Sequence, residues 1–146
     1  MGRGSGRAAC GDGSAPLIVV DTSAWVEYLR RTGSPANMAL KRALVAEDEL
    51  GVVDVVRMEL LAGAGSDEQV VTVSRLLARG TALPTLSPGD HEYAASLYRA
   101  ARRSGETVRS MIDCLVTAVA VRLDVPVLAR DRDFEVLRQV CPLRLV

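Results

Sequence analysis

The sequence predicts an α/β protein built on a parallel sheet, and three observations carry that reading. Short apolar, β-branched runs alternate with longer stretches whose apolar residues recur at helical spacing. The runs Leu17-Ile18-Val19-Val20 and Pro126-Val127-Leu128-Ala129 are apolar at every position, as strands buried on both faces are. The 146 residues, 49% of them hydrophobic, suffice for one domain with a sizeable core.

Each element has a local cause. Leu17 to Val20 is a strand bounded by Pro16 and Asp21, after which Thr22 or Ser23 can cap a helix through Trp25, Val26, Tyr28 and Leu29 that ends near Gly33. Ser34-Pro35 opens a second helix with Met38, Leu40, Leu44 and Val45, and Leu50 to Val53 is the second strand. Asp54 can cap a third helix to Ala64, whose Val56, Glu59 and Leu60 share one face. Ser66-Asp67-Glu68 starts a helix closed by Gly80, and Thr81 to Leu86 can hold a short third strand. A long helix follows Ser87-Pro88 and stops near Gly105, and Ile112 to Leu123, apolar on nearly every side, is expected to be the most buried helix. Pro126 to Ala129 is a fourth strand, Phe134 to Val140 a last helix, and Leu143 to Val146 an edge strand. This gives a central parallel sheet of four to five strands covered on both faces, with ligands expected at the carboxyl ends of the strands. Residues 1–15 read as a disordered, glycine-rich extension without the apolar stretch of a signal peptide, and residues 16–146 as the folded domain.

Composition excludes several classes of function. Eighteen basic and 18 acidic residues cancel, so any polyanion site must be a local arrangement. Cys10, Cys114 and Cys141 form no CxxC pair and leave an odd count, which supports neither a zinc knuckle nor a disulfide framework and makes a reducing, cytoplasmic location the default. The single histidine, His91, lies in a polar stretch and reads as a surface residue, so a Ser-His-Asp or Cys-His system has no evident partners. No apolar run approaches the ~20 residues that cross a bilayer.

Four acids stand where apolar residues surround them: Asp21 closing the first strand, Glu59 in Met58-Glu59-Leu60-Leu61, Asp113 in Ile112-Asp113-Cys114-Leu115, and Asp131 after the fourth strand. A carboxylate near a core costs several kcal/mol of lost hydration unless something compensates it. In a parallel sheet these positions can meet on one rim, and clustered oxygens of this kind suit Mg²⁺ or Mn²⁺. Such an ion activates water and stabilises charge building on a phosphate, which is the chemistry of phosphodiester hydrolysis. Each acid also has a structural reading: Asp21 as a helix cap, Asp113 at the positive end of its helix, Glu59 in an ion pair with Arg57, and Asp131 or, more naturally, Asp133 as a cap for the last helix. Arg109 and Arg132, close to the acids, are candidates to draw a phosphodiester backbone into the pocket, whereas Arg102 and Arg103 suit a solvated helix end. Tyr93 and Tyr98 read as core or groove residues, and Thr22 and Ser23 can either cap or hold a water beside Asp21.

The segments Leu17 to Trp25, Val56 to Gly63, Ile112 to Val116 and Arg130 to Phe134, in this order, resemble the PIN-domain nucleases, and in particular the VapC-type toxins of bacterial toxin–antitoxin pairs. The resemblance implies a PIN-like α/β/α sandwich and a Mg²⁺- or Mn²⁺-dependent endoribonuclease. It also implies a homodimer neutralised by a cognate VapB-type antitoxin, whose tail wraps the toxin and brings basic side chains to the acidic pocket. The family's metal-binding acids map onto Asp21, Glu59, Asp113 and Asp131, with Asp133 as an occasional fifth, and its hydroxyl residue onto Thr22 or Ser23. The glycine-rich leader before Leu17 departs from the family pattern and puts the start codon in question. The competing expectation is a PIN-like module that binds RNA or a partner without cutting. A phosphomonoesterase of the haloacid dehalogenase type also begins with an Asp after a buried strand, but it needs a second Asp two residues on and a lysine; position 23 is Ser and Lys41 is the sole lysine.

Overall fold

The computed structural model describes residues 16–146, so the extension expected over residues 1–15, Cys10 included, lies outside the described residues. Four strands, β1 (Leu17–Val20), β2 (Glu49–Val53), β3 (Thr81–Leu83) and β4 (Val127–Leu128), form one sheet in the order β3-β2-β1-β4, with every pairing parallel. Among the described residues seven helices accompany it: α1 (Thr22–Leu29), α2 (Pro35–Val45), α3 (Asp54–Ala62), α4 (Asp67–Leu77), α5 (Gly89–Arg103), α6 (Met111–Leu123) and α7 (Asp133–Leu137). The arrangement is the predicted α/β/α sandwich. Among the described residues no helix is long and apolar enough to cross a membrane.

Strand order decides where the site lies. The chain steps outward from β1 to β2 to β3, then returns through α5 and α6 to place β4 on the other side of β1. The direction of winding therefore reverses between β1 and β4, and the crevice beyond the carboxyl ends of such a pair is where open parallel sheets bind ligands. Val19 pairs with Val127 and Val20 with Leu128, so the residues following each strand emerge side by side.

The core gathers Val19, Val20, Val53, Val56, Val116, Val119, Val127 and Phe134, all fully buried. As expected, α6 is the most deeply packed helix, with its stretch from Val116 to Ala120 buried at every position. Several element ends differ from the sequence reading. The third strand stops at Leu83, and Thr85 instead bonds Asp54 through both its N–H and its hydroxyl (3.0 Å each). Asp54 is thus the first residue of α3 rather than its cap. The edge strand expected at Leu143 to Val146 contracts to a parallel bridge between Leu145 and Val127. His91 is exposed, and Tyr93 and Tyr98 are half-buried against the core, as their sequence contexts implied.

Candidate metal centre and active site

Asp21 follows β1 directly, and its N–H donates to the Leu128 carbonyl at 2.9 Å, which seats it against β4. Its side chain caps α1, with Oδ2 accepting from the Ser23 N–H (2.9 Å) and the Ser23 hydroxyl (2.7 Å). The capping reading is therefore correct but incomplete. Oδ1 of the same carboxylate is buried and has no hydrogen-bond partner.

Ser23 reaches across the crevice as well. Its Oγ accepts the N–H of Arg130 (2.9 Å) and that of Asp131 (3.3 Å), so one hydroxyl joins the end of β1 to the loop after β4. Thr22 faces the other way and donates its hydroxyl to Glu59 Oε1 at 2.7 Å. Glu59 lies on α3 at the border of the core, half-buried, and among the described residues it makes no ion pair; the alternative pairing with Arg57 is not formed.

Asp113 lies in the first turn of α6, where Ser110 caps the helix by accepting the Asp113 N–H at 3.4 Å. Ser-x-x-acid is capping-box spacing, so the sequence itself carries the signal for this serine. Asp113 is buried, and its Oδ2 also has no hydrogen-bond partner. Carboxylate oxygens of Asp113, Asp131 and Asp133 lie within 4.8 Å of one another. In this trio Asp131 is the exposed member, and its Oδ1 accepts the Asp133 N–H at 2.9 Å, so the helix-start hydrogen bond falls to Asp131 and not to Asp133. Asp133 is buried, and its Oδ2 accepts the N–H groups of Arg109 (2.8 Å) and Ser110 (3.0 Å), fastening the turn before α6.

Electrostatics link the five acids in series. Burial, reinforced by the charges of Asp21, Asp131 and Asp133, pushes the Asp113 carboxyl up to about 9. Burial also raises Asp21, against the lowering effect of its hydrogen bonds from Ser23, and Glu59 adds to the rise. The mutual repulsion among these carboxylates is what a cation in the pocket would relieve. The Cys114 thiol next to Asp113 is pushed up to about 12 by burial and by that carboxylate, so it offers no thiolate nucleophile at neutral pH.

Basic groups stand at the rim. Arg109 is exposed, and among the described residues no acid pairs with its side chain, whereas Arg132 donates to Glu106 at 3.2 Å. Arg102 stacks over Tyr98 at 5.8 Å, a helix-end contact away from the acids' own hydrogen bonds. One pair escaped the sequence reading: Arg130 Nη1 donates to Glu27 Oε1 on α1, and Glu27 is buried. No local signal announces a contact between residues so far apart in the chain.

The donor set fits a divalent ion. It consists of oxygens alone, two of them buried and unpartnered, which suits Mg²⁺ or Mn²⁺ and suits zinc or copper less well.

Comparison with known proteins shows the family. The family model for the PIN domain matches residues 18–139. Ribonuclease VapC11 of Mycobacterium tuberculosis is 42% identical over 132 residues, spanning 88% of this chain and 96% of that protein, and VapC ribonuclease Mb1587 of Mycobacterium bovis matches to the same extent. The fold superimposes with a TM-score of 0.70 on VapBC2 from Rickettsia felis, solved bound to a promoter DNA fragment, at 15% identity over 89% of this chain and 97% of that one. The chain belongs to the PIN domain family and, within it, to the VapC ribonucleases.

Proposed function

We propose that this chain is a Mg²⁺- or Mn²⁺-dependent endoribonuclease toxin that hydrolyses RNA phosphodiester bonds. The observation that carries the metal is the pair of buried, unpartnered oxygens, Asp21 Oδ1 and Asp113 Oδ2, beside the close trio of Asp113, Asp131 and Asp133. Buried carboxylates packed together are costly without a cation, and this fold shows no basic side chain hydrogen-bonded to any of them among the described residues. RNA as the substrate is supported by the 42% identity to proteins named ribonucleases.

Asp21, Asp113 and Asp131 would hold the ion, with Asp133 completing the cluster and Glu59 at its edge. A bound divalent ion supplies an acidified water and charge stabilisation for the phosphate under attack. The protein's own residues do the rest. Ser23 fixes the rotamer of Asp21 and the approach of the Asp131 loop. Thr22 holds Glu59 by Oε1, which leaves Oε2 to accept a proton from the attacking water. Arg109 and Arg132 offset the acids' repulsion of an incoming RNA backbone.

A groove of about 540 Å³ runs from this site between α1, α3 and α4, lined by Thr22, Val26, Leu29, Glu59, Leu60 and Val73. Its lining mixes these apolar side chains with Arg30, Gln69 and Thr72, and Glu59 at one end suits a basic side chain from the tail of a VapB-type antitoxin. A cytoplasmic location and a homodimer go with this reading, and light scattering on the purified chain checks the latter.

The deciding experiment incubates purified protein with RNA in Mg²⁺ or Mn²⁺, with and without EDTA. Cleavage is expected only with the metal. Activity that persists in EDTA, or in folded Asp21→Ala and Asp113→Asn variants, overturns the proposal, and tight RNA binding without turnover under all ions points to a non-cleaving module.

A further inference from the structure

The loop carrying Asp131 has little support from its own strand, since β4 ends at Leu128. It is held from α1 instead. Arg130 Nη1 donates to Glu27 Oε1, and the backbone N–H groups of Arg130 and Asp131 both donate to Ser23 Oγ. Ser23 and Glu27 are four residues apart and so lie on one side of α1, giving the loop a main-chain and a side-chain anchor on the same helix face. Glu27 is itself firmly placed. Its Oε2 accepts the Thr32 hydroxyl, and its backbone carbonyl accepts the Thr32 N–H (3.2 Å) and Asn37 Nδ2 (3.1 Å), with Asn37 fully buried. Glu27 joins no carboxylate cluster, and besides Thr32 its carboxylate holds Arg130, the residue that immediately precedes Asp131.

We propose that Glu27 and Arg130 are a positioning pair, which sets where Asp131 presents its carboxylate to the divalent ion; this rests on the metal-dependent reading above. Neither residue is among the acids that would hold the ion. Groups that orient metal ligands from behind typically change metal affinity roughly 10- to 100-fold when removed.

The sign of the effect separates positioning from simple charge. Arg130→Ala removes a cation beside an acidic pocket, so electrostatics alone predicts tighter Mn²⁺ binding, whereas loss of positioning predicts weaker binding. Calorimetric titration of the full chain with Mn²⁺ alone reads this without any RNA. We expect Arg130→Ala to weaken Mn²⁺ binding about tenfold or more, and Arg130→Lys, which keeps the charge and a donor, to restore most of it. Unchanged or tighter binding in Arg130→Ala overturns the proposal. If Arg130→Ala fails to fold because Glu27 is left buried and unpaired, the double variant Glu27→Met with Arg130→Met decides: it conserves net charge, so weakened Mn²⁺ binding supports positioning and parental affinity overturns it. A parent chain that binds Mn²⁺ but cuts no RNA defeats the nuclease reading while leaving this one standing, and a parent that binds no Mn²⁺ defeats both.

Discussion

Asp133 accepts the backbone N–H of Arg109 at 2.8 Å, so an acid of the candidate metal cluster also fastens the turn that leads into α6. Asp131, two residues earlier, is exposed, and its side chain accepts the Asp133 N–H alone. The two neighbours should therefore part company on mutation. Asp133→Ala leaves the Arg109 and Ser110 N–H groups without their acceptor and should cost about 1–3 kcal/mol of stability. Asp131→Asn keeps an acceptor for Asp133 and should cost under about 0.5 kcal/mol, as exposed substitutions do, while still weakening Mn²⁺ binding. Urea denaturation set beside Mn²⁺ calorimetry checks both; equal stability losses would contradict this division.

The stability of the metal-free protein should fall with rising pH. Asp113 titrates near 9 in the folded chain, against an ordinary value of 3.8. Between these values the folded state holds more protons than the unfolded one, so stability is greatest below the lower value and is lost as pH climbs through the higher. A divalent ion binds the deprotonated carboxylate, and should release protons on binding and flatten or reverse the slope. Melting temperatures from about pH 5 to pH 9, in EDTA and in Mn²⁺, test this. The same reasoning makes Asp113→Asn at least as stable as the parent in EDTA at neutral pH, though inactive.

Glu59 is fixed through Thr22 Oγ1 at 2.7 Å, yet it stays half-exposed at the edge of the cluster. If it takes the proton from attacking water, Glu59→Gln should lower kcat by about 10²–10⁴ while changing KM little. Thr22→Val should show a smaller loss of the same kind, since Glu59 keeps its carboxylate but loses its tether. A Glu59→Gln variant with parental kcat and a raised KM would instead make Glu59 an RNA contact.

Much of this site was legible in the sequence because the carboxyl ends of buried strands can be read from apolar runs: Val20 and Leu128 end strands, and Asp21 and Asp131 follow them. Glu59 was visible as an acid on the apolar face of α3. The pairing of Arg130 with Glu27 was not, because it depends on how β4 sits beside β1, a long-range register with no local trace. The roles of Asp131 and Asp133 were hidden for a similar reason. Which of two acids turns inward is decided by the N–H groups of Arg109 and Ser110, which arrive from another segment. The edge strand after Leu143 was overestimated because β propensity cannot supply a ladder partner: β4 is two residues long, and one bridge is what it can offer.

The groove between α1, α3 and α4 lends itself to separating neutralisation from catalysis. Thr22 and Glu59 line the groove and stand beside the candidate metal site, but Ala64 lines the groove alone and bonds none of the acids through its side chain. Ala64→Trp should fill part of the 540 Å³ without disturbing Asp21, Asp113 or Asp131. If an antitoxin tail occupies the groove, this variant should cut RNA at the parental rate in vitro yet escape its co-expressed antitoxin, with binding weakened by about 2 kcal/mol or more if the groove is a hot spot. Growth arrest on co-expression, together with a lost pull-down of the antitoxin, is the expected result. Full neutralisation of a folded, active Ala64→Trp variant would place the antitoxin elsewhere on the surface, because a bulky indole in an occupied groove leaves no room for a second chain.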